Sequence, residues 1–113
     1  MLPKRQRLTK QMIESLFKSA RRVKTSRFLV SYAPLALLKN PCISMVVSKK
    51  QAKTAVLRNR LRRKGYASVA PLVKNIKPHM AILVSFNNGN PDFVNADATV
   101  ELDEAFKKAN LYS

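Results

Sequence analysis

The spacing of apolar residues changes along this chain, and each change marks a predicted element. Residues 1–8 are basic, and Pro3 keeps helix from running into them, so this stretch reads as extended. Thr9 can cap the helix that follows. There Met12, Ile13, Leu16, Phe17 and Ala20 fall at i, i+1, i+4, i+5 and i+8, one face of an amphipathic helix, with Glu14 and Lys18 paired on the other side. Arg21 to Thr25 is a basic connector with room for a short edge strand. From Ser26 to Ala33 the period drops to two: Phe28, Val30 and Tyr32 share one face, and Leu29, Ser31 and Ala33 share the other. Pro34 and the Asn40-Pro41 dipeptide bracket a loop. Cys42 to Lys49 reads as a second strand, with Ile43, Met45 and Val47 on one side, close enough to the first for antiparallel pairing.

A helix follows, predicted over Lys53 to Ala70. Leu57, Leu61, Gly65, Ser68 and Leu72 form a narrow packing stripe, flanked by Arg58 and Arg62 on one side and by Arg60 and Lys64 on the other. Gly65 costs about 1 kcal/mol against Ala in a helix, so it marks either close packing or an early end. Met80 to Phe86 is apolar on both faces, which suits a strand buried on both sides, as in parallel pairing. After an Asn-rich turn, Asp97 to Asn110 carries Ala98, Leu102, Ala105, Phe106 and Ala109 on one stripe. Its acids lie early and Lys107-Lys108 lie late, matching the helix dipole. The predicted architecture is α+β. It is a small two-layer sandwich, ordered helix, two or three strands, helix, strand, helix around one mixed sheet, with residues 1–113 as a single domain.

Charge changes this picture most between Ser48 and Lys64. Of the seven residues from Arg58 to Lys64, six are polar and five are cationic, leaving Leu61 as the plain core position. A solvated helix face usually balances cations with Glu at i±4, yet no acid occurs between Glu14 and Asp92. Arg is favoured over Lys where a planar fork meets phosphate. Residues 1–91 hold twenty Lys and Arg against one acid, whereas residues 92–113 hold two against five, and the whole chain carries a formal net charge of +16. Such a body attracts polyanions.

Composition excludes several other classes. The longest apolar run, Met80 to Val84, is too short to span a bilayer, so no membrane partner is expected. The basic N-terminus has no apolar stretch behind it, so no secretory signal is expected. Cys42 and His79 are each the only residue of their kind, which rules out an intrachain disulfide and a Cys/His zinc cluster. Both are expected to be ordinary structural residues, and the cytoplasm is the expected compartment. A self-sufficient nuclease needs a base, an acid or metal ligands. The body offers Glu14 and His79; Asp97, Glu101 and Glu104 share a face of the last helix, where solubility and the dipole account for them. Two glycines make no phosphate-cradling loop. No catalytic residue is therefore assigned. Neither a protein-bound cofactor nor metal is expected, nor a small-molecule substrate.

One ordered set of residues resembles a known family. It comprises Leu2-Pro3-Lys4, Arg7-Leu8, Phe17-Lys18, Arg27-Phe28-Leu29-Val30-Ser31-Tyr32, Val47-Ser48-Lys49-Lys50, Ala55-Val56 and Arg58-Asn59-Arg60-Leu61-Arg62-Arg63. The combination of Ser-Lys-Lys with Arg-Asn-Arg at this spacing resembles the protein component of bacterial ribonuclease P. The match is good over about residues 2–64 and rests on element order beyond. The resemblance implies the fold of ribosomal protein S5 domain 2. It also implies a protein that binds a catalytic RNA, ribonuclease P RNA, and promotes endonucleolytic removal of the 5′ leader from precursor tRNA, the RNA and its Mg2+ doing the hydrolysis. By match, Lys49, Lys50, Arg58, Asn59, Arg60, Arg62 and Arg63 would face the catalytic RNA. Ile13, Phe17 and Tyr32 would hold the leader in a cleft between helix and sheet, where an aromatic ring can stack on any base. After Arg63 the family pattern loosens. Tyr66 stands about where an Arg is common, and Phe86-Asn87 stands where the last strand often ends in Arg, so fewer RNA contacts are expected at the far end of the helix.

The alternative is another RNA-binding structural protein, such as a ribosomal protein, with no part in cleavage. An independent RNA-cleaving enzyme is disfavoured by the shortage of acids and bases. A DNA-binding regulator is disfavoured because the basic helix follows a strand rather than a helix and tight turn.

Overall fold

The computed structural model describes residues 20–35, 38–87 and 90–112. The helix predicted upstream of Ala20, with Ile13 and Phe17, lies outside the described residues. Four strands form one sheet: β1 (Arg21–Lys24), β2 (Phe28–Pro34), β3 (Cys42–Val46) and β4 (Met80–Phe86), in spatial order β1-β2-β4-β3. The predicted edge strand is present as β1, antiparallel to β2. The expectation that β2 and β3 pair with each other is wrong. β4 lies between them, antiparallel to β2 and parallel to β3. The reason is burial. β4 is apolar on both faces and is buried at every position but Ser85, so it takes the centre of the sheet and leaves the shorter β3 at the edge.

Alternation then sorts the side chains. Phe28, Val30, Ile43, Met45, Ile82, Val84 and Phe86 are buried on one face. Opposite them are Leu61, Val69 and Leu72 from the central helical segment, and Ala98, Leu102 and Phe106 from the last helix (Asn95–Lys108). Phe28, Phe86 and Phe93 cluster with ring centroids 5.2 to 6.4 Å apart. The other face carries a smaller cluster of Ala33, Ala81 and Leu83, with Ala20, Leu35 and Leu38 against it.

The cationic helix, hereafter the Arg helix, runs Ala55–Val69. It starts where Thr54 accepts the Leu57 N–H at 3.1 Å, and it has no acid in its first turn. Pro71 withdraws the N–H that another α-turn would use, so the chain tightens into a 3-10 helix over Ala70–Asn75. Gly65 marks close packing rather than an end. A Cβ there would lie 3.0 Å from Met45 Sδ and 3.1 Å from Phe86 Cζ.

A contact distant in sequence fixes the β1–β2 turn. Glu101 of the last helix accepts the Arg27 backbone N–H at 2.8 Å and Arg27 Nη1 at 2.7 Å, and it also accepts the Thr25 hydroxyl. Arg27 is thereby held over the Phe93 ring, 5.9 Å from its centroid. At the far end of the last helix, the Tyr112 hydroxyl donates to Asp103 at 2.6 Å, and Lys107 lies 3.1 Å from the same carboxylate.

Candidate nucleic-acid interface

The Arg helix divides its cations between inner and outer roles. Val56, Arg60, Arg63 and Ala67, at successive spacings of four, three and four, are all exposed and form one outward row, with Asn59 exposed beside it and Lys53 exposed just before the helix. Arg58 and Arg62 are half-buried at the margins. Arg58 donates to the Ala52 carbonyl at 2.9 Å, closing the turn before the helix, and Arg62 donates to the Asn59 side chain. Arg62 and Asn59 thus hold each other one turn apart, which orients the guanidinium along the helix surface.

Lys49 and Lys50 are exposed in the turn that leads into this helix. The Gln51 and Ala52 N–H groups donate to the Ser48 carbonyl at 3.1 and 3.0 Å, while the Gln51 side chain donates to the Phe86 carbonyl. The turn is therefore fastened to the end of β4. Among the described residues, no carboxylate lies within ion-pair distance of Lys49, Lys50, Arg58, Arg62 or Arg63. Arg60 reaches Asp92 at 4.0 Å, with both side chains more than half exposed. A pair so exposed is worth about 0–1 kcal/mol, too little to bind the guanidinium against a phosphate.

Two neighbours in this stretch do something else. Lys64 donates to the Pro91 and Phe93 carbonyls, both at 2.6 Å, with its ammonium 4.5 Å from the Phe93 ring centroid. It clamps the segment before the last helix instead of facing outward. Tyr66, where an Arg is common in the family pattern, is buried, and its hydroxyl accepts the Met45 N–H at 3.2 Å. It satisfies a backbone donor of the edge strand β3. Similarly, the Asn87 amide donates to the Thr25 and Phe28 carbonyls at 2.7 and 3.2 Å and ties β4 to the β1–β2 turn. The far end of the Arg helix is thus built for packing, and the outward cations are concentrated from Lys49 to Arg63.

Tyr32 sits apart from that surface. It shares the helix-covered face with Phe28 and Val30, half-buried at the rim of the core. It opens on a cleft of about 410 Å³, whose described lining includes Arg21, Pro34, Lys77, His79 and Asn110. The structure therefore does not bring Tyr32 to the Arg helix, and its relation to Ile13 and Phe17 falls outside the described residues. In the sequence Arg21 reads as part of a connector and His79 as a structural residue, and Lys77 stands in no predicted element. Only the β1–β2 register, which sets Arg21 across from Tyr32, and the fold of the 76–80 segment bring them together.

Two acids of the last helix are occupied in structural contacts. Glu101 holds Arg27 and Thr25. The Tyr112 hydrogen bond, followed by Lys107, holds the Asp103 carboxyl below its ordinary value. Burial, then the hydrogen bond to Asp103, pushes Tyr112 well above the usual phenol range. Burial likewise raises the Cys42 thiol, as befits a structural cysteine. No helix among the described residues is long and apolar enough to cross a membrane.

Comparison with known proteins agrees with the geometry. The Staphylococcus aureus RNase P protein superposes with a TM-score of 0.79 at 20% identity, over 96% of this chain and 98% of that one. The Thermotoga maritima RNase P protein superposes with a TM-score of 0.75 at 18% identity, over 90% and 96%. At these identities the likeness shows the fold: one mixed four-stranded sheet layered with helices. A search of curated proteins gave no match by sequence. The family model for ribonuclease P, however, matches residues 2–110, nearly the whole chain. A cationic helix on this fold, together with that match, leads to one conclusion: this chain belongs to the ribonuclease P protein family and is a bacterial ribonuclease P protein component.

Proposed function

We propose that this protein, within ribonuclease P, lays the outer row of its Arg helix on the catalytic RNA and holds the 5′ leader of precursor tRNA elsewhere on its surface. Arg60 and Arg63 lead the first contact, Arg58, Asn59 and Arg62 flank it, and Lys49 and Lys50 extend it along the preceding turn. The observation that carries this reading is the outward row of cations, whose one carboxylate neighbour among the described residues is the exposed Asp92, 4.0 Å from Arg60. Like charges stacked on successive turns are tolerated when a polyanion neutralises them. The leader contact falls to Ile13, Phe17 and Tyr32. The chemistry belongs to the RNA subunit and its Mg2+, and the protein binds no cofactor of its own. Its assignment as non-catalytic is supported by Glu101 and Asp103, whose carboxylates are engaged by protein donors. The chain acts as one domain, in the cytoplasm where precursor tRNA matures.

The test pairs binding with cleavage. Replacing Arg60 and Arg63 together with Ala should weaken binding to ribonuclease P RNA. It should also reduce the log–log salt slope by about 1.4–1.8, at about 0.7–0.9 for each phosphate no longer neutralised. An unchanged slope would mean that the helix does not face RNA phosphates. In the same preparation, precursor tRNA should be cut at low Mg2+ only when protein and RNA subunit are both present. Cleavage by protein alone would overturn the assignment of the chemistry to RNA.

A further inference from the structure

Not every charge beside the Arg helix is positive, and the exception is held in place. Asp92 is the first acid in the chain after Glu14. Its side chain is 79% exposed and lies 4.0 Å from the Arg60 guanidinium. The backbone on both sides of it is fixed. Lys64 donates to the Pro91 and Phe93 carbonyls, both at 2.6 Å, so its ammonium spans the residue between them. The Asp92 N–H donates to the Asn90 side chain at 2.9 Å, and the Phe93 ring packs against Phe28 and Phe86. One cation of the Arg helix is thereby withdrawn from the outward surface, and it holds an acid at the margin of that surface. An ion pair as exposed as Arg60 with Asp92 adds little to stability, so stability does not account for the acid.

The acid stands on one flank only. Arg60 and Lys64 share a side of the packing stripe, and both reach the 91–93 segment. Beyond Asp92, across a cleft lined by Phe86, Asn90 and Phe93, lies Arg27, whose guanidinium is already taken by Glu101. The last helix is joined to the Arg helix where the Thr99 hydroxyl donates to the Ser68 carbonyl at 2.7 Å, and residues 92–113 hold five acids against two Lys. On the other flank, among the described residues, neither Arg58 nor Arg62 has a carboxylate within ion-pair distance.

A fixed negative charge beside a cationic row acts with a direction. An RNA backbone that crosses the row from the Arg58–Arg62 side meets cations alone. One that lies toward the last helix brings its phosphates to Asp92 and must draw Arg60 away from that carboxylate. A body this cationic attracts any RNA, and a repulsive element separates partners that attraction alone would treat alike. We infer that Asp92 is a specificity-determining residue, set at the edge of the RNA-facing surface to reject RNA lying over the Arg60–Lys64 flank while admitting the catalytic RNA from the Arg58–Arg62 flank. This rests on the reading of the Arg helix as the face for catalytic RNA and adds which way that RNA lies on it.

The experiment measures equilibrium binding of the full-length protein to ribonuclease P RNA and to an unrelated structured RNA of equal length, over a salt series. The variants are D92N and D92A, with R60A/R63A alongside. D92N should bind the unrelated RNA about fivefold tighter at low salt, the factor that unit charges about 4 Å apart in water are worth. Its affinity for ribonuclease P RNA should change less than about twofold on the same scale. D92A should match D92N, which assigns the gain to the lost charge rather than to a new amide. The gain should fade as salt screens the charge, whereas an effect on folding would persist. Equal tightening for both RNAs, no change for either, a gain that survives high salt, or weaker binding of ribonuclease P RNA would each overturn the inference. If R60A/R63A weakens ribonuclease P RNA binding while D92N and D92A change nothing, only the role of Asp92 fails. If R60A/R63A changes nothing, the reading of the Arg helix fails with it.

Discussion

Replacing Glu101 with Ala should be among the most damaging single changes to this fold outside the apolar core. Glu101 accepts three donors from a turn more than seventy residues away: the Thr25 hydroxyl, the Arg27 N–H and the Arg27 guanidinium. The Glu101 side chain is 16% exposed and that of Arg27 is 35% exposed. Removing the carboxylate leaves a part-buried backbone N–H unpaired, at about 1–3 kcal/mol. The guanidinium can rehydrate on its open side, so it adds only about 1 kcal/mol, below the cost of breaking a fully buried pair. Thr25 keeps the Phe28 carbonyl at 3.2 Å as an alternative acceptor and adds little. The sum, about 2–4 kcal/mol, is a large part of a typical total of about 5–15 kcal/mol. Equilibrium urea unfolding reads it directly. With m about 2 kcal/mol/M, the midpoint should fall by about 1–2 M at unchanged m. E101Q keeps one carbonyl acceptor and should lose about half as much. A double-mutant cycle with R27A should give a coupling of at least about 1 kcal/mol. A midpoint within about 0.2 M of wild type would refute the reasoning, because it would mean that the β1–β2 turn holds its place without the last helix.

Two further outcomes test the packing of the Arg helix and the electrostatics of the last helix. G65A gains about 1 kcal/mol of helix propensity but forces Met45 and Phe86 outward, at about 1–3 kcal/mol. Because the Phe86 ring is held between Phe28 and Phe93, a net loss of about 1 kcal/mol is expected in the same urea assay, and a variant more stable than wild type would show that the contact relaxes freely. Y112F removes the main cause of the lowered Asp103 pKa, so the Asp103 titration followed by carbon NMR should move up toward the ordinary carboxylate range, and an unmoved midpoint would discard the hydrogen bond. The sign follows from the depressed carboxyl: the contribution of Asp103 is present above the ordinary carboxylate pKa and is lost as pH falls through its lowered folded value.

Much of this protein is legible locally. The two-residue period of Phe28, Val30 and Tyr32, the apolar run from Met80 to Phe86 and the stripe of Leu61, Gly65 and Ser68 are properties of short windows, and they specify strand, buried strand and helix without knowledge of the rest. The cationic run without acids is likewise local, and it was enough to point to a polyanion. Which of these cations turn outward is read from burial and not from spacing, since the stripe sets Arg60 and Lys64 on the same flank.

What the windows could not carry was which distant parts meet. Two strands close in sequence do not pair here, because a third, more deeply apolar strand competes for the centre of the sheet, and that competition is settled by the burial of the whole fold. Lys64 looks like its neighbours but is drawn to the Pro91 and Phe93 carbonyls, while Tyr66 turns inward to a donor on β3. Arg27 and Glu101, or Arg21, Tyr32 and Lys77, share no local pattern. The sequence by itself determined the elements, the sign of the surface and the partner it seeks. Tertiary structure alone decided which cations are free to face that partner, because a side chain's freedom depends on the distant acceptors that folding brings within reach.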